Sequence, residues 1–263
     1  MPFVYKEVTG VGFYETSGWK GARGIFTTRK GGISPEPFHS LNLGAGGGDD
    51  QTRVEKNREL LAGALGVGKE AIKTVSQVHG DNVYVVRDPA APRPKEGYDA
   101  LITDVKGVAL GVLTADCVPI LLYDPVAKAV GSVHAGWAGT IKGIAGRAVV
   151  EMATNFGSSP LDIKACIGPS IGACCYEVDE KVMTPLRDSL RGWWEELAAP
   201  SRPGHWLLDL WKTNRKVLQL AGIRPENISV FGVCTSCNPD KFYSHRKSMG
   251  SAGRMMALTM LED

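Results

Sequence analysis

The chain has 263 residues, with 30 Lys+Arg against 28 Asp+Glu for a formal net charge of +2, and 43% hydrophobic residues. So balanced a charge leaves no basic footprint for a nucleic-acid binder, and no run of like charge suggests a polybasic tail. The apolar content supports a substantial core, and no linker, repeat or low-complexity tract divides the chain, so a single domain over residues 1–263 is expected. The opening Met1-Pro-Phe-Val-Tyr-Lys-Glu has no basic stretch followed by an apolar one, so no signal peptide is expected. The apolar runs at residues 108–113 and 118–123 are strand-length and too short to span a membrane. These features predict a cytoplasmic protein with no membrane or nucleic-acid partner. In that reducing compartment, six cysteines read as core thiols, metal ligands or nucleophiles rather than a disulfide framework.

In chain order, the Gly-rich Gly44-Ala-Gly-Gly-Gly48 leads into Asp49-Asp50, a helix cap. Val54, Leu61, Leu65 and the terminating Gly66 predict three to four helical turns behind it. Residues 72–75, 82–86, 108–113, 118–123 and 129–134 read as consecutive strands separated by turns. Two of them are continuously apolar, which predicts cover on both faces. Residues 140–155 read as a helix capped by Thr140, with Ile141, Ile144, Ala148 and Met152 on one side. A strand at 163–167, a helix at 209–220 ended by Gly222, and a strand at 228–233 follow. A last strand at 255–261 is placed to close the sheet. Strands and helices mix without a strict βαβ rhythm, so the fold class expected is a layered α/β (mixed α+β) arrangement of mixed sheets covered by helices.

Three segments carry a soft or borderline ligand at a strand end or in a Gly-bounded turn: Gln77-Val-His-Gly80, Thr114-Ala-Asp-Cys117 and His134-Ala-Gly-Trp-Ala-Gly-Thr140. Side chains at such junctions gather on one sheet edge, where sites are built. Two imidazoles and a thiolate suit Zn2+ and leave a fourth position for water or substrate, and copper accepts the same donors. The spacing itself matches no compact zinc-finger pattern. Cys117 also reads as a core thiol, or as a nucleophile paired with His134 as base and with Asp116 or a nearby amide orienting the imidazole.

Arg29-Lys30-Gly31-Gly32 is a cationic loop, and Ser244-His245-Arg246-Lys247 a second basic cluster. Each reads as an anion site or as a solvated turn, and the residues alone favour the turn. Asn42 in Ser40-Leu-Asn-Leu43 reads as a residue satisfying its own loop backbone. Cys234-Thr-Ser-Cys237 has the two-residue gap of redox and zinc motifs but no second such pair. Cys174-Cys175 are adjacent, a poor arrangement for chelation, so these cysteines read as structural or incidental. The His-x-Glu…Pro-Cys-x-x-Cys deaminase pattern, a Walker loop and a dinucleotide-binding glycine fingerprint are all absent.

Read together, Thr28-Arg-Lys-Gly-Gly-Ile-Ser34, Ser40-Leu-Asn-Leu43, Gln77-Val-His-Gly80, Thr114-Ala-Asp-Cys-Val-Pro-Ile120, His134–Thr140, Ile167-Gly-Pro-Ser-Ile171, Cys174-Cys-Tyr-Glu-Val178 and Phe242-Tyr-Ser-His-Arg246 closely resemble the YfiH/YlmD family over nearly the whole chain. That family has been labelled polyphenol oxidase or "laccase domain" and is now read as purine nucleoside phosphorylase. The resemblance implies catalytic metal ligands at His79, Cys117 and His134, and a fold similar to the cytotoxic necrotizing factor catalytic domain. It implies phosphorolysis of adenosine, inosine and S-methyl-5'-thioadenosine, with adenosine deamination as a second activity. Its implied partners are purine nucleosides and phosphate, with the protein a monomer or homodimer. Substrate contacts are expected at Arg29, Asn42 and Arg246, with Arg29 or Arg246 holding phosphate. The family often reads Ser-Tyr-Arg-Arg where this chain has Ser244-His245-Arg246-Lys247, which keeps Arg246. A copper-dependent, laccase-like oxidase and a Cys–His hydrolase are the alternatives. Five histidines, including His39, His205 and His245, are too few for a full multicopper set.

Overall fold

A computed structural model describes residues 2–262. The strands and helices run β1 (Phe3–Val8), β2 (Val11–Thr16), β3 (Ala22–Thr27), α1 (Gln51–Leu65), β4 (Ile72–Lys73), β5 (Val83–Val85), β6 (Ala100–Thr103), β7 (Ala109–Thr114), β8 (Val118–Asp124), β9 (Ala129–Ala135), α2 (Trp137–Lys142), α3 (Ile144–Phe156) and β10 (Lys164–Ile167). They continue as β11 (Glu177–Asp179), α4 (Glu180–Ser189), α5 (Trp194–Leu197), β12 (Ala198–Pro200), β13 (His205–Leu208), α6 (Leu210–Leu220), β14 (Ile228–Val230) and β15 (Met255–Leu261). Among the described residues, no helix is long and apolar enough to cross a membrane.

Two six-stranded sheets form the centre, ordered β1-β2-β3-β15-β7-β4 and β14-β10-β8-β9-β6-β5, with a small β11-β13-β12 sheet beside them. Both large sheets are mixed: β4–β7, β5–β6 and β10–β14 are parallel and the remaining pairs antiparallel. Side-chain alternation builds the layers. Leu110 and Val112 of β7 and Ala257 of β15 meet Leu121 and Tyr123 of β8 and Val130 of β9 between the sheets. On the outer face of the first sheet, Ile25, Met256 and Leu258 bury against Leu61 and Leu65 of α1. On the outer face of the second, Ile120, Leu122 and Val133 bury against Ala145, Val149 and Met152 of α3 and Leu218 of α6. Residues of β7, β8 and β15 are therefore covered on both sides, which is why those stretches read as apolar runs.

Helix ends follow their chemistry. The Asp50 carboxylate accepts the Thr52 and Arg53 amides at the start of α1, and Gly66 ends it at φ 73°. Two expectations fail. Residues 140–155 are not one helix: α2 starts at Trp137, Gly143 turns left-handed at φ 80°, and α3 restarts at Ile144. The apolar spacing runs through Gly143, so periodicity alone did not reveal the break. Strand β15 does not close a sheet either. It lies inside the first one, between β3 and β7, with every residue buried.

The topology gathers several crossings at one end of the sandwich. The turn after β7 passes to β8 in the other sheet through Ala115-Asp116-Cys117, and the chain after β4 crosses to β5 through Gln77–Gly80. Strand β9 ends beside them, with His134 opposite Pro119.

Candidate metal centre

His79, Cys117 and His134 each offer one donor atom, and these atoms lie within 4.8 Å of one another. Cys117 Sγ is 3.8 Å from His79 Nε2, and the two imidazoles cross edge to face with centroids 4.9 Å apart. A tetrahedral ion with the usual Zn–S and Zn–N bonds holds S and N donors roughly 3.6 Å apart, so the three fit one ion with little movement. His134 is buried, Cys117 half-buried and His79 exposed, which leaves the centre open on the His79 side.

The backbone supports this convergence. His79 and Asp116 both adopt left-handed φ, at 57° and 86°, a region where His and Asp are tolerated better than most side chains. Gln77 locks the first loop to the end of β7: its side-chain amide donates to the Leu113 carbonyl and accepts the Leu113 amide, each at 2.8 Å. Asp116 accepts the Thr235 hydroxyl at 2.6 Å, the Ser244 hydroxyl at 3.0 Å and the Arg246 amide at 2.7 Å. Gly136 is required by close approach. A Cβ there would stand 2.7 Å from His79 Cδ2 and 3.2 Å from Cys117 Sγ.

Asp99, at the head of β6, was not legible in the sequence. It is fully buried, and its Oδ1 lies 2.8 Å from His134 Nδ1. Its two oxygens also accept the amides of Val78 at 3.2 Å, His79 at 3.0 Å and Gly80 at 2.7 Å. One carboxylate thus fixes both the His79 loop and the His134 ring, turning Nε2 of His134 toward Cys117. Asp99, not Asp116, is the residue that orients the imidazole.

Burial raises the Asp99 pKa, but the His134 hydrogen bond and the amide donors outweigh it and hold the carboxyl below the usual range. Burial likewise opposes ionisation of Cys117, yet His134 and then His79 pull its thiol down to about 6. Burial disfavours the His134 imidazolium, but the Cys117 thiolate and the Asp99 carboxylate raise it to about 9. Without an ion, the two shifts act in the same direction, favouring a thiolate beside an imidazolium near neutral pH.

Two cavities meet at the centre, and His79, Cys117 and His245 line both. One, of about 290 Å³, is walled by Trp137, Ile171, Tyr176 and Leu210 with Arg246 at its rim. The other, of about 410 Å³, is lined by the Gly44–Gly47 loop, Gln77, Arg93 and Arg254. Arg246 donates to the carbonyls of Cys175 at 3.4 Å and Glu177 at 3.1 Å, and its guanidinium lies over the Tyr176 ring. The Glu177 carboxylate turns away to Arg202 and Ser201, whose hydrogen bonds bring it down to about 2.

Arg29 and Asn42 are not brought to the centre. The Arg29 guanidinium donates to the carbonyls of His39 at 2.6 Å and Pro239 at 2.8 Å and stacks on Tyr243, outside both cavities. Asn42 is buried; its carbonyl accepts the amides of Gly44 and Arg254 and its amide donates to Asp49. Asn42 shapes the cavity loop rather than facing a ligand.

A family model described as multi-copper polyphenol oxidoreductase laccase matches residues 23–262. A purine nucleoside phosphorylase, YlmD of Geobacillus stearothermophilus, is 41% identical over 98% of this chain and 97% of its own. Another of that name, from Bacillus subtilis, is 38% identical over 90% of this chain and 88% of its own. The crystal structure of YlmD from Geobacillus stearothermophilus superposes with a TM-score of 0.92 at 39% identity, covering 100% of this chain and 99% of that one. With motifs, layered sheets and near full-length similarity in agreement, the chain belongs to the YlmD/YfiH family of laccase-domain proteins.

Proposed function

We propose that this chain is a zinc-dependent purine nucleoside phosphorylase acting on adenosine, inosine and S-methyl-5'-thioadenosine, with adenosine deaminase activity at the same centre. The observation that carries this reading is the convergence of His79, Cys117 and His134, braced by Asp99, where an aromatic cavity meets a basic one. The names of the Geobacillus and Bacillus relatives support the reaction class.

The donor set of two imidazoles and one thiolate, open on one side, suits zinc bound through His79 Nε2, Cys117 Sγ and His134 Nε2. Lewis acidity is what zinc would supply there: polarisation of a substrate atom, and water acidic enough to react near neutral pH.

The chain's own groups then divide the substrate. Trp137 and Tyr176 offer π-faces to a purine, and Ile171 and Leu210 exclude water from it. Arg93 and Arg254 place cationic groups along the other cavity, and Arg246 sits at the rim of the first; guanidinium suits a phosphate oxyanion. Phosphorolysis forms a bond from phosphate oxygen to ribose C1' and breaks the bond from C1' to the purine nitrogen. The purine leaves with the electron pair and takes up a proton. His245, facing both cavities, is placed to deliver that proton. Incubating purified protein with inosine, with and without phosphate, tests the reading. Hypoxanthine released only with phosphate is expected; no release, or equal release without phosphate, refutes it.

A Cys–His hydrolase is favoured by one observation, the Cys117 thiol lying beside a His134 ring that Asp99 orients, an arrangement that lowers the thiol pKa and raises that of the imidazole. It leaves His79 without a role. Inactivation by chelator, reversed by zinc, supports the metal reading; full activity in chelator supports the hydrolase. The oxidase alternative needs several coppers. Among the described residues the only other candidate ligand group is four cysteines, without imidazole.

A further inference from the structure

Behind the Tyr176 wall, four more thiols come together. Cys174 Sγ lies 3.6 Å and Cys175 Sγ 3.4 Å from Cys237 Sγ. With Cys234, all four sulfur atoms lie within 4.8 Å of one another. A tetrahedral zinc with Zn–S bonds of about 2.3 Å separates its sulfurs by roughly 3.8 Å. The observed spacing suits one ion. An iron–sulfur cluster, with its cysteines on different irons, needs them further apart.

The adjacency of Cys174 and Cys175 argued against chelation, but the backbone removes that objection. A turn closed by the Cys175 amide on the Gly172 carbonyl at 3.0 Å brings both side chains to the same place. Cys234-Thr-Ser-Cys237 supplies the other two sulfurs from a second turn, closed by the Asn238 amide on the Thr235 carbonyl. The Gly172 amide donates to Cys234 Sγ at 3.2 Å, a hydrogen bond that favours the thiolate. The two turns are already joined by the Thr235 amide on the Ser170 carbonyl at 3.0 Å.

We propose that Cys174, Cys175, Cys234 and Cys237 bind a single Zn2+ as a structural tetrathiolate, distinct from the His79–Cys117–His134 centre. Four protein sulfurs close the coordination shell, so this ion holds structure and leaves no position for substrate. Each thiol gives up its proton on binding, and no electron is transferred. The ion pins the cavity wall: Cys175 precedes Tyr176, the Cys175 carbonyl receives Arg246, and Thr235 between the paired cysteines holds Asp116. The proposal does not depend on the phosphorylase reading.

The test is zinc content per chain, by mass spectrometry of metal in protein purified under reducing conditions. In a His79→Ala background one zinc is expected to remain, and adding Cys174→Ser with Cys237→Ser removes it. A failure of the catalytic centre to hold zinc shows separately, as unchanged zinc on His79→Ala alone. Wild-type protein gives a second readout that needs no variant: reaction of thiols with Ellman's reagent is slow at these four until a strong chelator is added, then rises by five equivalents, the fifth being Cys117 of the other centre. Zinc content unaffected by the double serine substitution, or four freely reactive thiols before chelation, overturns the proposal.

Discussion

Asp99→Asn separates ligand positioning from ligand identity, because it alters no donor atom. The carboxylate accepts four hydrogen bonds, two on each oxygen: His79 N and His134 Nδ1 on Oδ1, Val78 N and Gly80 N on Oδ2. An amide in its place turns one oxygen into a donor, so whichever way it is rotated, two donors lose their acceptor. A buried donor left unsatisfied costs about 1–3 kcal/mol, so two cost about 2–6 kcal/mol before the loop relaxes. At 2–4 °C per kcal/mol for a chain near this size, that lowers the metal-free melting temperature by roughly 4–24 °C. Losing the carboxylate behind a metal-bound histidine typically weakens zinc binding about 10–100-fold. Competition against a chelator of known affinity, at a temperature where circular dichroism shows both proteins folded, measures the second effect. A folded Asp99→Asn protein that binds zinc as tightly as wild type refutes the assignment of Asp99.

Gly136 has φ −66°, open to any residue, so Gly136→Ala tests close approach alone. It is expected to weaken zinc binding at least tenfold with little change in the metal-free melting temperature. Trp137→Ala removes a π-face from the apolar cavity; base stacking is worth about 1–3 kcal/mol, so KM for inosine should rise about 5- to 150-fold, with Trp137→Phe recovering most of it. Zinc affinity should depend on pH through Cys117 and His134. Above about 6 the metal-free thiol is ionised, and up to about 9 His134 still carries the proton that zinc must displace. Apparent affinity should therefore rise about tenfold per pH unit between these values and fall more steeply below the lower one. An affinity flat from pH 6 to 9 by calorimetry contradicts the paired state of the two residues.

Strands at the centre were legible because burial on both faces writes itself as nearly continuous apolar residues, as in β7 and β8. Helix α1 was legible because Asp50 and Gly66 punctuate it. Strand β1 was not anticipated, since nearly all of it is exposed and its residues show no alternation. The three candidate metal ligands, His79, Cys117 and His134, stood out by residue type and by place at strand ends. Asp99 did not, because its importance lies in partners at positions 78, 79, 80 and 134, which only folding brings near. The four cysteines illustrate the same limit: two pairs with poor or incomplete local spacing become a candidate ligand set once the turns meet. Arg29 shows the converse. Its motif marks the family, yet its side chain secures a loop through two carbonyls.

The central proposal is one ion gripped jointly by His79, Cys117 and His134 beside an open cavity. Anomalous diffraction at the zinc edge, from crystals of protein purified without added metal, addresses that claim directly. A peak bonded to Cys117 Sγ at about 2.3 Å and to both imidazole nitrogens at about 2.0–2.1 Å is expected. An empty centre after zinc soaking, or an ion bound by only one of the three side chains, contradicts it.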